Sequence, residues 1–272
     1  MDAPAAPELT EVTSPSPGVE VYFPFLHGDG ATITVWRVAD GVREEVRGAK
    51  RASVAGDFPI IDFEVPFGVA VTYVGELFDA AGASVLGEQA SIQVDVDEVW
   101  FQSQVDPELA FPVRLEAASF STVTRPRNTK RVFVAGVSRP FEQHWGLGAI
   151  EGLPFTVFTD TGEQADAMQR VLESSPLLIR TPPRFRTLPR LLSASIAQPS
   201  HNPLDWQYNG DAIVWTLTVD EVQPVSKAIL RPLVTWDDWT EASPEEEYEW
   251  NEVIAIYGAG TWTDAQRNPP TV

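Results

Sequence analysis

The stretch QVDVDEVWFQSQVDPELAFPVRL, residues 93–115, decides how this chain is organised. Gln93, Asp95 and Asp97 alternate with Val94 and Val96, the two-residue period of a half-buried strand. Trp100-Phe101 follows at once, and a polar turn then closes on Asp106-Pro107. No Gly- or Ser-rich spacer separates the strand from the aromatic pair, so the stretch predicts a rigid joint between two β-rich modules. Trp100 and Phe101 are candidate contact residues at that joint.

Upstream of the joint, residues 1–18 are rich in Pro, Ala, Ser and Thr and predict a poorly ordered arm or a strap laid on a partner. From Val19 to Glu98 the pattern is β. In TITVWRV, Thr32 and Thr34 alternate with Ile33 and Val35, and Asp40-Gly41 supplies a hairpin turn into VREEVRG. Phe23-Pro24 suggests a strand at an edge or a bulge. FPIIDFEVPFGVAVTYVGELF supplies two more strands, with the next turn at Asp79–Gly82. Short strands with turns every 8–12 residues predict a β-sandwich of the fibronectin-III or immunoglobulin kind over residues 19–98.

Downstream, residues 99–223 predict a barrel-like sheet with one covering helix. FPVRLEAASFSTV, RVFVAGVSR, LPFTVFTD, PLLIR, RLLSASIAQP and DAIVWTLTVDEVQP read as strands. The helix is TGEQADAMQRVLESSP, with Thr161 as N-cap, Gln164 three residues on, and an apolar stripe of Ala165, Met168, Val171 and Leu172. SHNPLDWQYNG and HWGLGAI read as a loop and as a loop or hairpin.

Residues 224–272 predict a short helical, Trp-rich docking segment. Thr235-Trp236-Asp237-Asp238 is echoed by Thr261-Trp262-Thr263-Asp264, and Ser243-Pro244 followed by three glutamates is a helix start. Four of the nine tryptophans, Trp236, Trp239, Trp250 and Trp262, lie here. So short a segment cannot bury those indoles alone, and it needs a surface to dock on.

Net charge is −20 over 272 residues, unevenly spread. Residues 1–113 carry 19 acids against 5 bases, residues 114–190 carry 7 against 11, and residues 191–272 carry 13 against 3. So acidic a chain repels phosphates and makes a poor sequence-specific nucleic-acid binder. Its basic middle suits acidic protein surfaces. Arg125, Arg127 and Arg131 in RPRNTKR, with Arg184 and Arg186 in RTPPRFRTLPR, are therefore candidate protein contacts. A solvated, solubilising surface accounts for the same charge. No apolar run approaches bilayer length, so no membrane insertion is expected, and the start of the chain lacks the apolar core of a signal peptide.

Catalytic patterns are missing. The chain has no cysteine, and His27, His144 and His201 have no partner at metal-ligand spacing. HWGLGAI lacks the lysine and spacing of a phosphate loop. Pairs such as Asp95/Asp97 and Asp237/Asp238 arise readily by chance among 39 acids. No enzyme activity, cofactor or metal is expected.

The order of the motifs resembles minor tail proteins of long-tailed phages infecting actinobacteria. The resemblance rests on the DEVW…DP junction after a β-sandwich, on TDTGEQADAMQRVLESSPLLIRTP, and on the Thr-Trp-x-Asp turns, and it spans nearly the whole chain. FQSQVDPEL is less compact than the family's Asp-Pro-Leu turn, and the second Thr-Trp-x-Asp runs into AQRNPP. The resemblance implies a structural virion protein at the distal end of the tail, assembled in the host cytoplasm. It implies a ring of copies of this chain, commonly a hexamer, joining tail tube to tip. The partners it implies are the tail tube protein, the tape-measure protein's end, the tail hub and other minor tail proteins. A carbohydrate- or host-receptor-binding module is the alternative from a different class, since exposed tryptophans on β-sandwiches are common sugar platforms.

Overall fold

The structure, a computed structural model, describes residues 2–26, 31–54, 56–116, 122–133, 138–174, 176–204 and 211–225. The expected docking segment, with Trp236, Trp239, Trp250 and Trp262, lies outside the described residues apart from Pro224 and Val225. The fold is mainly β, with a single helix and a closed six-stranded barrel among the described residues.

Eight strands precede the joint: β1 (Glu8–Val12), β2 (Gly18–Phe23), β3 (Thr32–Ala39), β4 (Val42–Glu45), β5 (Ala52–Ser53), β6 (Phe58–Asp62), β7 (Ala70–Phe78) and β8 (Ser84–Gln93). They form two antiparallel sheets, ordered β1-β2-β6 and β4-β3-β7-β8, with β5 on β3. Both sheets feed one core, in which Val19, Val21 and Phe23 of β2 meet Ile33, Val35, Val71, Tyr73 and Leu77. The β3–β4 hairpin forms as Asp40-Gly41 requires, with φ of 49° and 79° at its two central residues. Both values are positive, the left-handed pair of a type I′ turn.

Residues 2–18 are not a free arm. Pro4 and Pro7 are buried, β1 pairs with β2 along five residues, and Ser16 and Pro17 sit beneath the joint. Apolar burial of the prolines and a ladder on β2 outweigh the disordering composition. β2 is likewise no edge strand, since it is flanked by β1 and β6, and Pro24 falls just past its end, where its missing N–H costs nothing.

Nine strands and the helix follow: β9 (Val99–Ser103), β10 (Ala110–Leu115), β11 (Arg127–Val132), β12 (Phe141–Leu147), β13 (Leu153–Thr159), α1 (Gly162–Glu173), β14 (Leu177–Arg180), β15 (Leu191–Ile196), β16 (Ser200–Pro203) and β17 (Ile213–Glu221). The order β13-β10-β9-β14-β15-β17 closes on itself through β13–β17 pairing, seven residues long, from Leu153↔Val219 to Thr159↔Ile213. Closure removes free edges from the barrel. Its interior holds Val99, Phe101, Val113, Phe155, Val157, Ile179, Leu192 and Leu217, and α1 contributes Ala165, Met168 and Val171. The helix starts as its sequence demands: Thr161 Oγ1 accepts from the Gln164 N–H at 3.3 Å, and Gln164 Oε1 accepts from the Asp160 N–H at 2.8 Å.

Three local readings differ. The strand through Asp95 and Asp97 ends at Gln93; Val94–Glu98 lies outside any ladder, though Val94 stays fully buried and Asp95 and Asp97 exposed. SHNPLDWQYNG contains the short strand β16, which adds to β17. HWGLGAI contributes its first four residues to β12, half of a hairpin with β11.

Phe101 is fully buried in the barrel interior, 6.2 Å from Phe155 by ring centroids. Replacing Phe101 with Ala is expected to cost about 3–5 kcal/mol, the usual cost of a large cavity in a closed core, readable by urea denaturation.

Candidate functional site

Alternation along β9 explains the joint. Val99 and Phe101 point into the barrel, whereas Trp100 packs against the core of the first module and Gln102 accepts a 3.1 Å hydrogen bond from Ser16 Oγ. β14 is paired with β9 in the register Arg180↔Trp100, Leu178↔Gln102, so the same outer face continues across two strands. The barrel wall is thus the platform on which the first module sits.

Arg180 lies at the centre of that platform, fully buried. Its Nη1 donates to the Pro17 carbonyl at 2.6 Å, and the guanidinium lies 4.6 Å from the Phe67 ring centroid. Arg180 Nε and Nη2 and Trp100 Nε1 are buried with no hydrogen-bond partner among the described residues. Burial pushes the Arg180 pKa down to about 9, against the pull of Asp62 and Glu64. The group stays charged at neutral pH. Because the folded pKa is depressed, the burial penalty is fully present below about pH 9 and is relieved only as pH rises through that value.

Beside it lies a buried ion cluster in the first module. Arg37 Nη1 donates to both Asp62 oxygens at 3.0 and 2.9 Å and to the Glu64 carbonyl, while Nη2 reaches Glu44 at 2.7 Å. Tyr73 O–H donates to Asp62 Oδ2 at 2.8 Å. Burial, and then the Asp62 charge, raise the Tyr73 pKa well above its ordinary value. Burial also raises Glu64, although the Arg47 guanidinium 2.6 Å away opposes it. Asp62 is only 2% exposed, so these bonds rather than water hold its charge.

Two further contacts tie the modules. Arg190 donates to the Phe67 carbonyl at 3.0 Å and approaches Asp40 at 3.3 Å. Gly68 has φ of +66°, and a Cβ there would stand 2.2 Å from Pro183 Cγ.

Between the modules opens a groove of about 710 Å³, lined by Trp36, Arg43, Arg47, Lys50, Leu178 and Leu191 among others. Val225 enters it: its N–H donates to Gln104 Oε1 at 2.8 Å, and its carbonyl accepts from Arg47 Nη1.

The β11–β12 hairpin stands apart as a two-stranded sheet of its own. Val132, Phe133, Phe141 and Leu147 are exposed, Phe133 to 77%. Residues 122–147 carry five cations against a single acid, Glu142.

The sequence-derived contact residues are therefore scattered. Trp100 is half-buried at the joint, and Phe101 is sealed in the chain's own barrel, which removes it from any contact with a partner. Arg125 lies 3.6 Å from Glu221 at the hairpin base. Arg127 and Arg131 are exposed on β11, Arg131 pairing with Glu142 at 3.0 Å. Arg184 and Arg186 are exposed on the β14–β15 connection, Arg184 lying 5.0 Å from the Phe185 ring. Arg37, Asp62, Tyr73 and Arg180 were not singled out from sequence. Asp62 ends the apolar run FPII at a core-facing position, the one local sign of a buried charge.

Among the described residues no group of three or more His, Asp or Glu is placed to hold a metal, and no helix is long and apolar enough to cross a membrane. His144 and His201 are exposed and His27 lies outside the described residues. No family model matches the chain, and no curated protein matches it.

Two outcomes are expected here. Asp62→Asn leaves Arg37 buried with half its compensation gone and should destabilise by about 3–5 kcal/mol; the double change Arg37→Met with Asp62→Leu should cost less than that single one, as a denaturation cycle would show. Gly68→Ala should spread the joint while sparing both cores, detected as faster amide exchange at residues 100–104 and faster proteolysis between the modules.

Proposed function

We propose that this chain is a structural subunit of a phage tail tip, forming a ring that joins the tail tube to the tip and hub complex. One observation carries the self-assembly in this reading: the β11–β12 hairpin. An isolated two-stranded sheet is marginal in water, and its open edges and apolar side chains need covering. It is basic on an acidic protein, and Asp95, Asp97 and Glu98 offer an exposed acidic counterpart on a second copy. Arg125, Arg127 and Arg131 then act as contact residues between copies.

Two finer readings accompany it. The first module is fibronectin-III-like, supported by its seven principal strands in two antiparallel sheets around one cysteine-free core. Trp236, Trp239, Trp250 and Trp262 are covered by neighbouring subunits, the tail tube, tape-measure and hub proteins among them. The motif order and the resemblance it carries support the tail-tip assignment. A closed barrel carrying a separate basic two-stranded hairpin suits a ring of copies.

Light scattering on the full chain is expected to give a defined oligomer whose population falls with added salt. Phe141→Asp and Arg131→Glu should each shift it toward monomer by tenfold or more in dissociation constant, about 1.4 kcal/mol, with an unchanged unfolding midpoint at concentrations where both proteins are monomeric. A chain that remains monomeric at high concentration, and is missing from purified particles, would overturn the reading.

A further inference from the structure

We propose that the joint between the modules holds one small monovalent anion, of halide size, against the Arg180 guanidinium and the Trp100 indole N–H. This goes beyond the ring assignment and does not depend on it.

Three observations converge. The first is a set of unspent donors. Arg180 is fully buried, and Nη1 donates to the Pro17 carbonyl at 2.6 Å. Arg180 Nε and Nη2 and Trp100 Nε1 are buried without a hydrogen-bond partner among the described residues. All of these nitrogens are donors, and neither side chain has an acceptor to offer the other. A buried donor left unmet is costly, most of all on a charged group.

The second is convergence. β9 and β14 pair in the register Arg180↔Trp100, which sets the two Cβ atoms about 5 Å apart on one face of the barrel wall. Both side chains leave that wall toward the first module. Trp100 packs against its core, to which Phe67 belongs, and the Arg180 guanidinium lies 4.6 Å from the Phe67 ring centroid. The unmet donors therefore share one enclosed region between β9, β14 and the first core.

The third is charge. Arg37 is paired with Asp62 at 2.9 Å and Arg47 with Glu64 at 2.6 Å. Glu44, which also bonds Arg37, is half exposed and keeps its water. Arg180 is the cation left over, with no carboxylate bonded to it among the described residues. Burial accordingly depresses its pKa to about 9, with Asp62 and Glu64 pulling back from a distance. A water molecule accepts from two such donors, but it brings no charge and needs acceptors for its own hydrogens. A halide takes every donor at once, needs no acceptor and neutralises the guanidinium. Because Arg180 belongs to the barrel and touches Pro17 and Phe67 of the first module, such an ion fastens the two modules together.

The test exchanges sodium gluconate for sodium chloride at constant ionic strength and low protein concentration. Screening is then fixed, and the larger anion is kept out of an enclosed site. The unfolding midpoint of the full chain is expected to rise by about 3–5 °C for each tenfold increase in chloride above its dissociation constant. Arg180→Met is expected to abolish that rise. Trp100→Phe keeps an aromatic ring on the first core but removes one donor, so it is expected to weaken chloride binding about tenfold, and it decides the matter if Arg180→Met does not fold. Equal midpoints in the two salts overturn the proposal. A chloride dependence of the same size in Trp100→Phe overturns it too, because the ion then sits elsewhere. In crystals grown from bromide, an anomalous peak within hydrogen-bond reach of Arg180 Nη2 and Trp100 Nε1 supports the site; an ordered water there, without anomalous signal, sinks it.

Discussion

Strand β9 must satisfy two cores at once, and the rest of the molecule follows from how it does so. A strand sends successive side chains to opposite faces. Phe101 therefore completes the barrel while Trp100, one residue before it, lies on the first module's core. Val94 is still in the first core, so the chain passes from one interior to the other within seven residues. No flexible linker fits in that distance. The modules are joined by shared walls rather than by a tether, and the register of β9 with β14 fixes which residues of the barrel face outward.

That shared wall carries buried charge. Apolar contact alone would have made a simpler joint, yet Arg180 is enclosed with one hydrogen bond to a carbonyl, beside a cluster in which Arg37, Asp62 and Tyr73 satisfy one another. Desolvating a guanidinium costs several kcal/mol unless its donors are paired. The carboxylates of Asp62 and Glu64 offset part of that cost for Arg180 at longer range. Such an arrangement specifies orientation more than it adds stability. A joint that slid by one strand residue would bring an apolar side chain to Pro17 and leave Arg180 facing the barrel interior.

The hairpin has the opposite character. Among the described residues every other long strand of the barrel half is closed into the barrel, whereas β11 and β12 pair with one another alone, and Val132, Phe133, Phe141 and Leu147 are exposed in the single chain. Charge divides along the same line: the hairpin is basic, and the sequences before and after it are acidic. A protein of net charge −20 would repel its own copies unless such a patch offered a complement.

Alternation and turn chemistry made much of this legible without coordinates. Thr32–Val35, Asp40-Gly41 and Thr161 with Gln164 encode their own local structure, because a strand face, a left-handed turn and a helix cap each depend on residues within a few positions. The mainly β character and the helix α1 followed from these. The same local logic misread residues 1–18, since prolines that look disordering in sequence are buried once β2 and Gly87 lie against them. Tertiary structure alone decided the barrel's closure, which needs β13 to find β17 some 60 residues on, and the joint, where Ser16 meets Gln102, Arg180 meets Pro17 and Val225 meets Gln104. Those partners are separated by tens of residues, and no local pattern constrains pairs brought together only by packing.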